Sequence, residues 1–229
     1  MRTRQTIRLT SLERHVHAEP YVALVLAGGY EEAGDNGRFA VRAGSVMFHD
    51  AFEAHLDRFS AEGAVVLNLR LRRNCMPGIA TVSDPDWVAR LAERSREEAA
   101  EHLLSQALRW TPLPSDWPDE LAAALMRDPC LKLAEWGERH ELAPWTISRG
   151  FAAIFGTSPE AFRARVRTRQ ALRWIGQSAI PLAAIAAKLG FSDQAHMSRS
   201  VRQLTGYGPR AWRSANGFKT QTCADSSMR

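Results

Sequence analysis

The chain has 229 residues, 45% of them apolar, so it holds one large or two small domains with enough hydrophobic surface for two modest cores. No run approaches the roughly 18 consecutive apolar residues of a membrane span, and Cys75, Cys130 and Cys223, odd in number and unevenly spaced, argue against a disulfide framework or a cysteine zinc site. The net charge of +5 is unevenly distributed: residues 1–116 carry −2 and residues 117–229 carry +7, the footprint of a phosphate-facing surface in the C-terminal half.

The opening run MRTRQTIRLTSLERH has no apolar signal-peptide segment, which predicts a cytoplasmic protein with no membrane partner. Residues 5–9, 21–27, 38–42, 45–48 and 64–71 are short β-type runs broken by Gly, Asn and Asp. Leu67, Leu69 and Leu71 alternate with Asn68 and Arg70 as a half-buried strand would. Several such strands in series predict a small antiparallel barrel or jelly roll. His15, His17, His49 and His55 are the candidate effector or metal pocket, because neutral imidazole is a common ligand of first-row transition metals. Glu19 is too near to His15 and His17 to complete such a set, and Glu31 and Glu32 lie on a later stretch. The alternative is that these histidines line a pocket or the surface without metal.

Pro77-Gly78 and Asp84-Pro85 mark a break, after which apolar residues from Trp87 to Leu108 recur at spacings of three and four and predict one helix over 86–109. Thr111 to Pro118, with three prolines, reads as a linker. Asp119–Arg127 and Leu131–His140 are the next two helices, and Pro144 opens another. Ser158-Pro159 starts a helix running to Gly176, with arginines at 163, 165, 167, 169 and 173. Its 18 residues give a rod of roughly 27 Å, near the roughly 34 Å between successive major-groove faces on one side of DNA. Pro181–Leu189 is a short helix stopped at Gly190, and Ser192 or Asp193 caps the helix after it. Two short helices joined by such a turn make a helix-turn-helix. A shift of 50 then aligns Ser148 with Ser198, Arg149 with Arg199, Gly156 with Gly206, Pro159 with Pro209 and Phe162 with Trp212. The motif therefore occurs twice.

The run GFSDQAHMSRSVRQLTGYGPRAWR closely resembles the second helix-turn-helix signature of the AraC/XylS transcription factors, and Leu142–Leu172 resembles the first signature with its linker helix. Glu141 stands where that family usually has Gly in the first turn, so the bend is expected to form without the freedom of Gly, and Val201 replaces the usual aromatic. The resemblance implies base-reading positions at Trp145, Ser148 and Arg149 in the first unit and at Gln194, Ala195, Ser198 and Arg199 in the second. Upstream, His15-Val16-His17, Tyr21, Gly28-Gly29, Ala43-Gly44-Ser45-Val46 and His55 resemble a cupin-like sensor domain. Together these imply an α+β chain in four parts: a cupin-like antiparallel sensor at 1–76, a helical dimerisation or linker region at 77–116, a double helix-turn-helix domain at 117–217, and a disordered tail at 218–229. The expected function is sequence-specific transcriptional regulation, non-enzymatic, with double-stranded DNA and a small-molecule effector as partners, a homodimeric state and RNA polymerase as a further candidate partner. No resident cofactor is required, though the sensor has room for a metal ion. A cupin-type metalloprotein or metalloenzyme fused to a DNA-binding domain is the alternative.

Overall fold

The apolar runs of the N-terminal half pair into one antiparallel sheet: β1 (Arg4–Ile7), β2 (Ser11–Val16), β3 (Tyr21–Gly34), β4 (Gly37–Arg42), β5 (Ser45–His49), β6 (Ala54–Arg70), β7 (Gly78–Thr81) and β8 (Leu108–Trp110). The computed structural model describes residues 4–8, 10–72, 78–106, 108–110 and 116–216, so the expected tail at 218–229 and most of the expected linker lie outside the described residues. Hydrogen bonding follows the order β1-β6-β3-β5-β7-β8, with β2 also on β6 and β4 also on β3. Among the described residues this path does not close on itself, so the expected antiparallel jelly roll is present as an open sheet and not as a closed barrel.

β3 and β6 organise the sheet because each serves two layers. The first half of β3 pairs with β5 and with Ala64–Arg70, and its second half pairs with β4 and with His55–Phe59. Register shifts flank Gly28, which has φ 70°, and Gly63, on the partner strand, has φ 72°. Only glycine enters this left-handed region without a Cβ penalty, and bulges here let both strands bend. The bend creates two apolar faces. Val22, Leu24, Phe48, Leu67 and Leu69 form one core, and Ala23, Val25, Phe39, Met47 and Val66 form another, as a period of two requires.

The first core is covered by α1 (Pro85–Arg94) and α2 (Arg96–Gln106), which contribute Val88, Ala92, Ala99 and Leu103. The single helix expected over 86–109 is therefore broken at Ser95, whose extended backbone (φ −149°, ψ 104°) ends α1. The Ser95 hydroxyl accepts from Glu98 N at 3.2 Å and starts α2. Leu108 belongs to β8, which pairs with β7.

The helical part consists of α3 (Trp117–Arg127), α4 (Leu133–Arg139), α5 (Pro144–Phe155), α6 (Pro159–Gln177), α7 (Leu182–Lys188), α8 (Gln194–Thr205) and α9 (Pro209–Asn216). The chain divides into two compact units, Met1–Val166 and Arg167–Arg229. In the first, Leu121, Leu125, Trp136, Phe151, Phe155 and Phe162 form a helical core that takes in Ala33 and Leu56 of the sheet. In the second, Leu172, Ile175, Ile185, Leu189, Phe191, Met197 and Val201 are buried. Among the described residues no helix is long and apolar enough to cross a membrane.

The two turns between paired helices close in the same way. Leu142 N donates to Gly137 O at 2.9 Å and Phe191 N donates to Ala186 O at 3.0 Å, each reaching back five residues. That closure needs a left-handed residue, and the second turn uses Gly190 (φ 71°). The first turn uses Glu141 at φ 54°, so the bend does not avoid the left-handed region as expected but imposes it on a side chain that disfavours it. Glu141→Gly is therefore expected to stabilise the fold by about 0.5–1 kcal/mol, read as a higher urea midpoint with an unchanged slope.

Candidate nucleic-acid interface and effector cavity

α5 and α8 are both 12 residues long, start 50 residues apart and end at a left-handed glycine, Gly156 (φ 64°) and Gly206 (φ 78°). α5 begins with Pro144 and has no side-chain cap, whereas α8 is capped by Asp193, whose carboxylate accepts from His196 N at 2.6 Å. Each helix buries one apolar stripe, Ile147, Phe151 and Phe155 in α5 and Met197 and Val201 in α8. The opposite faces carry the seven residues singled out above. Trp145, Ser148, Arg149, Gln194, Ala195 and Arg199 are exposed, Trp145 by 68%, and Ser198 is half-buried with its hydroxyl donating to Gln194 O at 2.8 Å. Arg149 makes no ion pair or hydrogen bond to a described side chain. These exposed groups are donors suited to guanine O6/N7 (Arg) and adenine (Gln) edges.

The arginines of α6 are engaged mainly with the protein itself. Arg163 Nη1 donates to Leu131 O at 2.9 Å, and Arg165 donates to Asp35 Oδ2 at 2.7 Å and to Phe52 O at 2.9 Å. Arg167 donates to Gly190 O at 2.8 Å and lies over the Phe191 ring, while Arg169 is buried. A guanidinium satisfies several carbonyls at once, so these side chains tie the helix to its neighbours.

Within the first unit the sheet holds the C-terminal end of α5. Arg14 Nη1 donates to Phe155 O at 2.9 Å, and Arg58 donates to Ile154 O at 3.0 Å and to Ala153 O. Two cations thus sit on the last carbonyls of the helix, where unsatisfied acceptors and the negative end of the helix dipole favour them. Arg14 also pairs with the fully buried Asp35, which accepts from Ala54 N at 2.9 Å and from Arg165.

The four candidate histidines come together inside the sheet. Register places His15 opposite His55 and Glu32 opposite Asp57, and His17 follows the last residue of β2. Ring centroids lie 5.0 Å apart for His15 and His17, 4.3 Å for His15 and His55, and 4.7 Å for His49 and His55. Glu32, expected to lie apart on a later stretch, belongs here, 3.6 Å from His49 Nε2, and Glu53, which the sequence reading did not single out, is 3.6 Å from His49 Nδ1. Asp57 and Tyr21 complete the site. The available signal for Asp57 was its spacing of two from His55, which puts both on one strand face. Burial, with the charge of His15 added, holds the His17 imidazole down to about 4. Burial likewise lowers His55. Burial opposes charge on His49 too, but the carboxylates of Glu32 and Glu53 outweigh it and raise its proton affinity. Burial pushes the Glu32 and Asp57 carboxyls up.

A family model described as a helix-turn-helix domain matches residues 136–215, which spans α5 through α9 and the buried Trp136 of α4. Residues 136–215 thus carry a helix-turn-helix domain, a fold that presents a helix to a DNA groove. Among solved structures the chain is similar to ToxT from Vibrio cholerae at 9% identity, covering 94% of this chain and 96% of that one with a TM-score of 0.43. It is also similar to the DNA-binding domain of AdpA solved in complex with a target DNA, at 25% identity over 44% of this chain and 93% of that one (TM-score 0.41). A probable AraC family regulator from Rhodopseudomonas palustris is 25% identical over 43% of this chain and 92% of that one (TM-score 0.37). No curated protein matches the chain.

Proposed function

We propose that the protein is a transcriptional regulator of the AraC type that reads a specific DNA site with α5 and α8 in successive major grooves, using Trp145, Ser148, Arg149, Gln194, Ala195, Ser198 and Arg199. The observation that carries this reading is the repeat itself. Two amphipathic helices offset by 50 residues, each ended by a left-handed glycine, leave an Arg on the exposed face at the matching position, Arg149 and Arg199. With the α6 arginines engaged internally, phosphate contacts fall to exposed residues such as Arg202 and Arg210. The sheet domain senses an effector at the histidine cavity, and the grip of Arg14 and Arg58 on the end of α5 supplies the route by which occupancy alters the first reading helix. The regulator works in the cytoplasm as a non-enzymatic homodimer and influences RNA polymerase, with residues 1–76 sensing, 77–116 linking or dimerising and 117–217 binding DNA.

Selection of bound duplexes from a random pool tests this reading directly. Arg149→Ala and Arg199→Ala are each expected to relax preference at one base pair and to weaken the selected site by about 1–3 kcal/mol, a roughly 5- to 150-fold loss. An equal loss on all sequences, with a salt slope shallower by about one, identifies a phosphate contact instead.

A further inference from the structure

The histidine cavity is small, about 140 Å³ in volume. Pockets that enclose drug-sized organic ligands run to roughly 300–1,000 Å³, whereas at about 30 Å³ per water this one holds the equivalent of four or five waters. Its lining sets three imidazoles, His15, His17 and His55, and two carboxylates, Glu32 and Asp57, among apolar and aromatic side chains. The ligand atoms of His15, His17 and His55 lie within 4.8 Å of one another, and so do those of Glu32, His49 and His55. Three buried atoms at this site, Glu32 Oε1, His55 Nδ1 and Asp57 Oδ1, have no hydrogen-bond partner among the described residues. Their residues are only 1%, 3% and 7% exposed. Leaving such atoms unsatisfied is costly, and a bound ion satisfies several at once.

We propose that this cavity binds one divalent first-row transition-metal ion through the imidazoles of His15, His17 and His55, with Glu32 and Asp57 supplying carboxylate oxygen and countercharge. The donor set of nitrogen and oxygen without sulfur selects this class of cation. His15 Nδ1 lies 2.8 Å from Glu13 O, so with Nδ1 donating there Nε2 keeps its lone pair for the ion. Ligand atoms within 4.8 Å of one another are no more than about 1.4 Å wider than the about 3.4 Å spacing of a tetrahedral site. An anionic effector is disfavoured, because two carboxylates face the same space. The larger cleft of about 900 Å³ beside α2 makes no comparable demand. Its arginines Arg70 and Arg72 already pair with Glu19 and Glu97. That the ion acts as the effector rests on the regulator reading; its binding does not.

The test uses the full-length protein stripped with a chelator and titrated with Zn²⁺ and Co²⁺ alone, followed by calorimetry and by the visible spectrum of the cobalt form. The expected result is one equivalent per chain and a cobalt spectrum without thiolate charge transfer. The His15→Ala/His17→Ala pair, at half-exposed positions that tolerate truncation, is expected to weaken uptake at least about a hundredfold. His102→Ala, outside the cavity, is expected to leave it unchanged. Wild-type protein that stays folded and takes up no stoichiometric ion overturns the proposal, and so does equal uptake by the double variant. DNA affinity measured with and without Zn²⁺ is a separate readout. A change of threefold or more supports the ion as effector, and no change overturns that role alone. Failure to select any DNA sequence would refute the regulator reading while leaving metal uptake to be judged by itself.

Discussion

Asp35→Ala is expected to destabilise the first unit by about 3–5 kcal/mol, because it removes one carboxylate from two guanidiniums that have little access to water. Asp35 is fully buried, and the Arg14 and Arg165 side chains that it holds are only 14% and 22% exposed. Their desolvation is already spent in forming the fold, so without the carboxylate both charges lose the pairing that Asp35 supplies. Ala54 N loses its acceptor as well. Arg165→Ala is the milder change, at about 1.5–3 kcal/mol, because Asp35 then keeps Arg14 and the Ala54 amide. Urea unfolding followed by far-ultraviolet circular dichroism reads the difference. A cost below about 1 kcal/mol for Asp35→Ala would mean that these pairs behave like exposed ones. The functional corollary concerns α5, since the Arg14 that Asp35 positions is also the donor to Phe155 O. On the proposed function, loosening it should weaken reading at the first half of the DNA site before the second.

Gly63→Ala is expected to cost more than about 3 kcal/mol, from two causes that add. The left-handed backbone at φ 72° penalises any Cβ by about 1 kcal/mol. The new methyl would also stand 2.1 Å from Ile7 O and so force β1 away from β6. Gly206→Ala separates the two causes. Its φ is 78°, but nothing lies within 4 Å of the added carbon, so only the backbone term remains. By thermal melting Gly206→Ala should lower the transition by about 2–4 °C and Gly63→Ala by at least three times as much. Equal shifts would show that the strand pair relaxes without loss.

The helical half was legible because its signals are local. Pro144, Pro159 and Pro209 open helices, Gly156 and Gly206 end them, and Asp193 caps α8, so boundaries follow from which residues satisfy helix ends. The break at Ser95 has a local signal too: Ser95 followed three residues later by Glu98 is a capping signal inside an otherwise continuous apolar period. Glu141 illustrates the opposite case, where side-chain chemistry argued against a left-handed turn and the five-residue backbone closure outweighed it.

Local chemistry in the sequence thus determined the repeated helix-turn-helix, its exposed Arg149 and Arg199, and the four histidines as a group worth watching. The tertiary structure decided which carboxylates join those histidines, since Glu32 meets Asp57 only through the register of β3 on β6. It also decided that Arg165 serves Asp35, 130 residues away, and that the sheet remains open. The physical reason is range. Caps and helical periods act over three or four residues, whereas strand register and buried ion pairs depend on which distant segments share a core, and no local pattern encodes that choice.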